Sequence, residues 1–308
     1  MTKLSEARSS GVADAEAVYD PGVVAVMRLR HWQHLLNEML KQKQFKIPIH
    51  LAFGHEAAAV AMDQTMAPVD RLCLTHRNAA YNLARARSLD VVLEHYRLAE
   101  RSTGGLMGSM NLAVEDTSIA YSSSILGNDL AVATGIAMHR ALVKQAGVVF
   151  VCTGDGAMEE GVFWESLLFS RSHNLGLVIV VENNDYSMSS TIAQRRSTVD
   201  LSQVCAGVGY QYFKASGAVL TEAKVALGSA RASAAEGAPA LVELDVSTFC
   251  QHAGPTPGWP DDPLRIAIED GFLVEDSPND PVFHIKQSLG DDEFQRLSNL
   301  VVTAGAGE

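Results

Sequence analysis

Apolar residues recur along this chain with two periods, and the alternation between them lays out a fold. Trp32, Leu35, Leu36, Met39 and Leu40 repeat on one face, so residues 21 to 43 predict a long amphipathic helix. Asp20-Pro21 supplies its start, an acidic N-cap followed by proline in the first turn. Farther on, Val148 to Cys152 and Leu177 to Val181 are short, β-branched apolar runs that read as buried strands. Between them, Phe163, Leu167 and Leu168 stand at helical spacing within residues 158 to 173, with Glu159 and Glu160 at the favourable end of the helix dipole. Residues 72 to 75, 210 to 215 and 241 to 246 predict further strands, and 221 to 235 another helix. A strand–helix–strand alternation of this kind predicts an α/β fold, a doubly wound and mainly parallel sheet. No internal repeat is visible. The expected layout is a mobile arm over 1 to 20, one binding domain over 21 to 265, and a helical tail over 266 to 308 packed on that domain.

Composition narrows the partners. A hydrophobic fraction of 47% over 308 residues supports a sizeable core. The formal charge of −12 argues against nucleic acid or an anionic membrane surface as principal partner, since both call for basic residues. No run reaches the roughly 18 apolar residues of a membrane helix, and the polar start of the chain lacks the apolar segment of a signal peptide. The four cysteines show neither paired nor metal-ligating spacing. A reduced cytoplasm is the expected setting.

Candidate chemistry gathers where the two central strands end. Gly154-Asp155-Gly156 follows the first and Asn183-Asn184 ends the second. If these strands are parallel neighbours, Asp155 and Asn184 stand side by side in the crevice where open α/β sheets bind ligands. A carboxylate, an amide oxygen and a backbone carbonyl from the turn beyond suit a hard cation such as Mg²⁺, which shares its shell with phosphate and water. The flanking glycines allow close backbone approach to a phosphate. Taken singly, each piece is as readily an ordinary turn.

Together, Gly154-Asp155-Gly156, twenty-six residues and Asn183-Asn184 resemble the thiamine diphosphate motif. The fuller text, Gly-Asp-Gly-Ala-Met-Glu-Glu-Gly and then Glu-Asn-Asn-Asp-Tyr, is most similar to the alpha subunits of the first components of 2-oxo acid dehydrogenases, which act on pyruvate, branched-chain 2-oxo acids or acetoin. The resemblance implies that Asp155, Asn184 and the Tyr186 carbonyl hold Mg²⁺ and that Gly156 and Ala157 contact diphosphate. His50-Leu-Ala-Phe-Gly54-His55-Glu56-Ala57 matches a family segment whose histidine faces the reactive end of the cofactor, with His55 in place of a glutamine. A histidine among apolar residues is commonly structural; the resemblance makes His50 a candidate for positioning substrate by hydrogen bonding. It likewise makes Arg77 a diphosphate donor and His76 a replacement for the family's tyrosine, where the residues alone allow a surface salt bridge. Ala79 and Ala80 depart from the pattern. Ser124 and Leu126 fall where the family lines its cofactor pocket, and Gly104 to Asn111 resembles a family loop with Asn111 in place of a histidine. His252 matches the second histidine of a His-Gly-His-Ser loop, with Ala253 replacing the serine. The glycine- and proline-rich text from Pro255 to Pro263 matches poorly. Gln194-Arg195-Arg196 reads as a basic surface patch, with a diphosphate-side contact as the alternative.

In this family a glutamate on a pyrimidine-binding domain completes the site, and residues 50 to 252 are already taken up by diphosphate-side features. The resemblance therefore implies a beta-type partner, an α₂β₂ heterotetramer, decarboxylation of a small 2-oxo acid or cleavage of an acyloin, and transfer to a lipoyl-bearing acyltransferase. Half of a split transketolase is the near alternative, and a scaffold that kept the fold is the distant one.

Overall fold

In the computed structural model, residues 15–45, 47–103, 112–114, 117–250, 252, 254–255 and 266–305 are described. The segments 104–111 and 256–265, and with them the loop ending at Asn111 and most of Pro255 to Pro263, lie outside the described residues, as do 1–14 and 253.

Six parallel strands form the sheet: β1 (Arg71–Leu74), β2 (Ile119–Ser122), β3 (Val149–Gly154), β4 (Leu177–Asn183), β7 (Gln211–Ser216) and β8 (Ala240–Asp245), in the order β2-β1-β3-β4-β8-β7. A two-stranded antiparallel hairpin, β5 (Tyr186–Ser187) with β6 (Ser190–Thr191), stands apart from it. The central strands are apolar without interruption because both of their faces are covered. Phe150, Cys152, Val178 and Val180 face one buried cluster, whereas Val149, Val151, Ile179 and Val181 face the other.

Helices α1 (Pro21–Lys41), α2 (Glu56–Thr65), α3 (Ala79–Ala86), α4 (Leu89–Thr103) and α9 (Leu220–Ala235) cover the first face. The second carries α5 (Asn128–Leu142), α6 (Gly161–Ser172) and α8 (Leu201–Val208), while a short α7 (Ile192–Arg195) follows the hairpin. Asp20 caps α1 as its sequence predicts, accepting from the backbone N–H groups of Gly22 and Val23. Helices α10 (Pro281–Leu289) and α11 (Asp291–Gly305) pack back on α1, where Tyr19 donates to Glu293 at 2.6 Å.

One ionic knot fastens these layers. Arg30 of α1 is fully buried and spends its guanidinium on Glu56 (2.6 and 3.0 Å), Asp280 (2.8 and 3.2 Å) and the Phe272 carbonyl (2.6 Å). Glu56 also accepts from Gln33 Nε2 at 2.7 Å and from the Gly54 N–H at 2.9 Å. A charge this far from water is tolerable only when its donors are matched in this way. The result fixes the start of α2, and so the residues just before it. Among the described residues no helix is long and apolar enough to cross a membrane.

Candidate active site

The chain passes from β1 outward to β2 and then returns to lay β3 on the other side of β1. That reversal is a topological switch point, and a crevice opens beyond the carboxyl ends of the strands around it. Segments after β1, β2, β3, β4 and β8 converge there on a cavity of about 300 Å³. Its lining includes His55, His76, Arg77, Ser124, Leu126, Asp129, Asp155, Gly156, Ala157, Glu182, Asn184, Tyr186 and His252.

Asp155 and Asn184 follow neighbouring strands, for β3 pairs with β4 up to Gly154↔Glu182. Asp155 opens a 3₁₀ turn (Asp155–Glu159) and is only 1% exposed. Burial raises its carboxyl above the ordinary range, opposed by the guanidinium of Arg195, which donates to Oδ2. Arg195 also donates through Nε to Glu159 Oε1 at 2.9 Å. The expected surface patch is therefore corrected at this residue: the β5–β6 hairpin folds the chain back, so that Arg195 turns into the site. A carboxylate that recruits a guanidinium across 40 residues is already answering a cation. Asn184 Oδ1 accepts the Tyr186 N–H at 3.1 Å. Gly156 is a close approach, since a Cβ there would lie 2.5 Å from Ser187 Oγ, whereas a Cβ on Gly154 would meet nothing. The donor set (a carboxylate, an amide oxygen and peptide groups beside glycine) fits a hard cation with a phosphate.

At the same cavity, three histidines from distant parts of the chain meet edge-on or tilted. The rings of His50, His76 and His252 lie 4.9–5.0 Å apart, centroid to centroid. Burial and the neighbouring Arg77 hold all three below the usual imidazole range: His50 to about 3, His76 to about 2 and His252 to about 4. They are neutral rings at physiological pH, each with one donor and one acceptor. Among the described residues, no group of three or more His, Cys, Asp or Glu could hold a metal ion. His50 differs from the others, for it stands behind His76 and His252 rather than on the cavity wall. Its Nδ1 has no hydrogen-bond partner among the described residues. Arg77 donates to the carbonyls of Leu51 (2.6 Å) and His252 (3.4 Å), which ties the loop after β8 to the segment before α2.

Three lining residues escape sequence reading. Asp129, in the first turn of α5, is 1% exposed, and burial pushes its carboxyl up to about 7; its Oδ2 has no hydrogen-bond partner among the described residues. Glu182 and His55 form the second unanticipated feature. His55 Nδ1 lies 2.8 Å from Glu182 Oε1, which also accepts the Tyr81 hydroxyl at 2.9 Å. An acidic residue ending an otherwise apolar strand is the signal that marks Glu182. Asp129 carries none beyond its place at a helix start. Gly54 makes this junction possible: its φ is +100°, and a Cβ would fall 2.0 Å from the Ser247 carbonyl oxygen.

The family model described as "Dehydrogenase E1 component" matches residues 25–254. Pyruvate dehydrogenase E1 component subunit alpha-1, mitochondrial, of Arabidopsis thaliana is 28% identical over 233 residues, covering 75% of this chain and 59% of the relative. The pyruvate dehydrogenase alpha subunit of Rhizobium meliloti (strain 1021) is 25% identical, over 82% of this chain and 73% of its own. The alpha subunit of the acetoin:2,6-dichlorophenolindophenol oxidoreductase of Bacillus subtilis (strain 168) is 32% identical over 52% of this chain and 49% of its own. Most of these relatives are thus spanned over only about half to three-fifths of their length. A transketolase from Campylobacter jejuni superposes with a TM-score of 0.58 at 16% identity, over 72% of this chain and 37% of that one, which is a likeness of fold.

Proposed function

The chain belongs to the dehydrogenase E1 component family, and from that premise we propose that it is the alpha subunit of a thiamine diphosphate- and Mg²⁺-dependent enzyme that decarboxylates a 2-oxo acid or cleaves an acyloin. The observation that carries this reading is the cavity shared by Asp155, Asn184, Tyr186, Arg77 and His252 at the switch point of the sheet. Asp155, the Asn184 amide oxygen and the Tyr186 carbonyl are the metal ligands in this reading. Arg77 and His76 receive the diphosphate, with Gly156 and Ala157 offering peptide N–H groups and Ser124 and Leu126 lining the remainder. When bound, thiamine diphosphate supplies the carbanion that attacks a carbonyl and the electron sink for the decarboxylated carbon.

The histidine wall does the positioning. His76 and His252 are neutral, so His76 bonds the diphosphate and His252 the substrate carbonyl or carboxylate without either bringing a fixed charge beside the Arg77 guanidinium. His50 acts from behind them as a positioning residue. The mouth is apolar: Ile125 is 67% exposed, Leu126 46%, Tyr186 56% and Met188 57%. Trp164, Leu168 and Phe169 on α6 are open to solvent as well. Apolar surface around the mouth of the cavity supports completion of the site by a second polypeptide. A beta-type subunit in an α₂β₂ heterotetramer and a lipoyl-bearing acyltransferase as acceptor belong to the same proposal, as does a cytoplasmic setting. Mild affinity purification of the tagged chain, with intact-mass measurement and a thiamine diphosphate assay, tests it. A second chain with bound cofactor is the expected result. A lone chain that takes up no cofactor when Mg²⁺ and thiamine diphosphate are supplied would overturn the reading.

A further inference from the structure

A hydrogen-bonded chain runs from the floor of the sheet to Asn184, and its polarity can be read link by link. Glu182 Oε1 accepts the Tyr81 hydroxyl at 2.9 Å, so it is an acceptor; His55 Nδ1, 2.8 Å from the same oxygen, brings the hydrogen. A ring hydrogen on Nδ1 alone, the tautomer that this inference takes and its test checks, leaves Nε2 an acceptor. Its partner is Thr248 Oγ1 at 2.8 Å, which spends its single hydrogen there. The oxygen of that hydroxyl is left with lone pairs only, and it faces Asn184 Nδ2 at 2.9 Å. The opposite placement of the amide would set two oxygens against each other at Thr248. It would also set two donors against each other at the Tyr186 N–H, which the Oδ1 atom now satisfies at 3.1 Å.

We infer that His55, acting through Thr248, is the positioning residue that fixes which end of the Asn184 amide faces the cation. The inference rests on the proposed role of Asn184 as a Mg²⁺ ligand. It goes beyond that role in assigning the ligand's orientation to a pair of residues outside the proposed ligand set. The support is rigid. His55 is 2% exposed, and Glu56 beside it is held by fully buried Arg30. Gly54 brings the backbone of this segment against Ser247, next to Thr248. Without the Thr248 link only the Tyr186 N–H opposes a turned amide, and a turned amide presents its NH₂ group to the cation. Residues that orient a metal ligand in this way typically carry 10–100-fold of metal affinity.

The full chain, as it purifies from its host, is titrated with Mg²⁺ at saturating thiamine diphosphate, and half-saturation is read from cofactor-induced quenching of tryptophan fluorescence. Thr248→Val keeps the shape but removes the hydroxyl, and the expected half-saturation rises by about 10-fold or more. Thr248→Ser retains the link and should stay within about threefold of wild type. His55→Gln, whose amide can donate to Glu182 and accept from Thr248, should recover most of the affinity that His55→Leu loses. Thermal unfolding of the ligand-free variants separates a turned amide from a damaged fold. For the ligand-free chain, ¹⁵N chemical shifts of the His55 ring should report the tautomer with hydrogen on Nδ1. Unchanged Mg²⁺ affinity in Thr248→Val, or hydrogen on Nε2 alone, would overturn the inference and leave the cofactor reading intact. A wild-type chain with no Mg²⁺-dependent cofactor binding would overturn both.

Discussion

Arg195→Ala separates the ion pair at Asp155 from the metal site proposed at the same carboxylate. Arg195 pairs with Asp155 and Glu159, and the Arg195 side chain is 12% exposed while that of Asp155 is 2% exposed. Breaking a fully buried pair by removing one partner costs about 3–5 kcal/mol, because the other charge is left unanswered. Exposed pairs contribute about 0–1 kcal/mol. The Glu159 arm, with 32% of its side chain exposed, belongs to the weaker kind. A pair closed on one side and slightly open on the other falls between these limits, so the variant should lose about 2 kcal/mol of unfolding free energy. In the proposed complex a divalent cation answers Asp155 instead, and the guanidinium is no longer needed there. The wild type must give up its ion pair to bind the metal, and the variant does not. Linkage therefore predicts that Mg²⁺ with thiamine diphosphate stabilises Arg195→Ala more than wild type, by about 1–2 kcal/mol. Urea unfolding of both proteins, with and without ligands, measures the two differences. An equal deficit in both conditions would refute competition between arginine and cation. No deficit in either would mean that the pair contributes nothing in solution.

Two further outcomes follow from the same geometry. Gly54→Ala demands a left-handed backbone of a residue with a side chain and drives its Cβ to 2.0 Å from the Ser247 oxygen, so it should cost about 3 kcal/mol or more. An unchanged melting temperature would contradict that packing. Acid should destabilise the fold well before the carboxylates titrate. His34, His50, His76 and His252 are held to about 3, 3, 2 and 4 when folded, against 6.5 for a free ring, so between about 4 and 6.5 the unfolded chain binds more protons and stability falls as pH drops. Asp129, raised to about 7, and Asp155, raised above its ordinary 3.8, work in the opposite sense, but they are two groups against four. A urea midpoint at about pH 5.5 equal to or above that at about pH 7.5 would show that this balance is wrong.

The central part of the fold is legible because its signals are local. Val148 to Cys152 and Leu177 to Val181 are apolar on both faces, as covered parallel strands must be; β3 starts one residue later than its run, and both strands continue two residues past the end of theirs. Adjacency of Asp155 and Asn184 then follows from a single crossover. What the sequence does not disclose depends on returns of the chain. His50, His76 and His252 precede α2, follow β1 and follow β8, and only the folded sheet brings their rings together. Arg195 looks like one of two surface arginines until the hairpin at Tyr186 to Thr191 turns it inward. His55 reads as a substitution in a motif. Its meaning depends on Thr248, 193 residues away, which has no distinguishing neighbours in the text. Asp129 is hidden for another reason: an acidic residue in a first helical turn is ordinary, and only burial makes it unusual.

The central claim is that Asp155 binds a metal on which the cofactor depends. Isothermal titration of thiamine diphosphate into the purified protein, in Mg²⁺ and in chelator, for wild type and Asp155→Ala, tests it most directly. Saturable binding by wild type in Mg²⁺ alone, absent from the variant in both buffers, is the predicted result. Tight binding by Asp155→Ala, or binding by wild type that ignores the chelator, would contradict it.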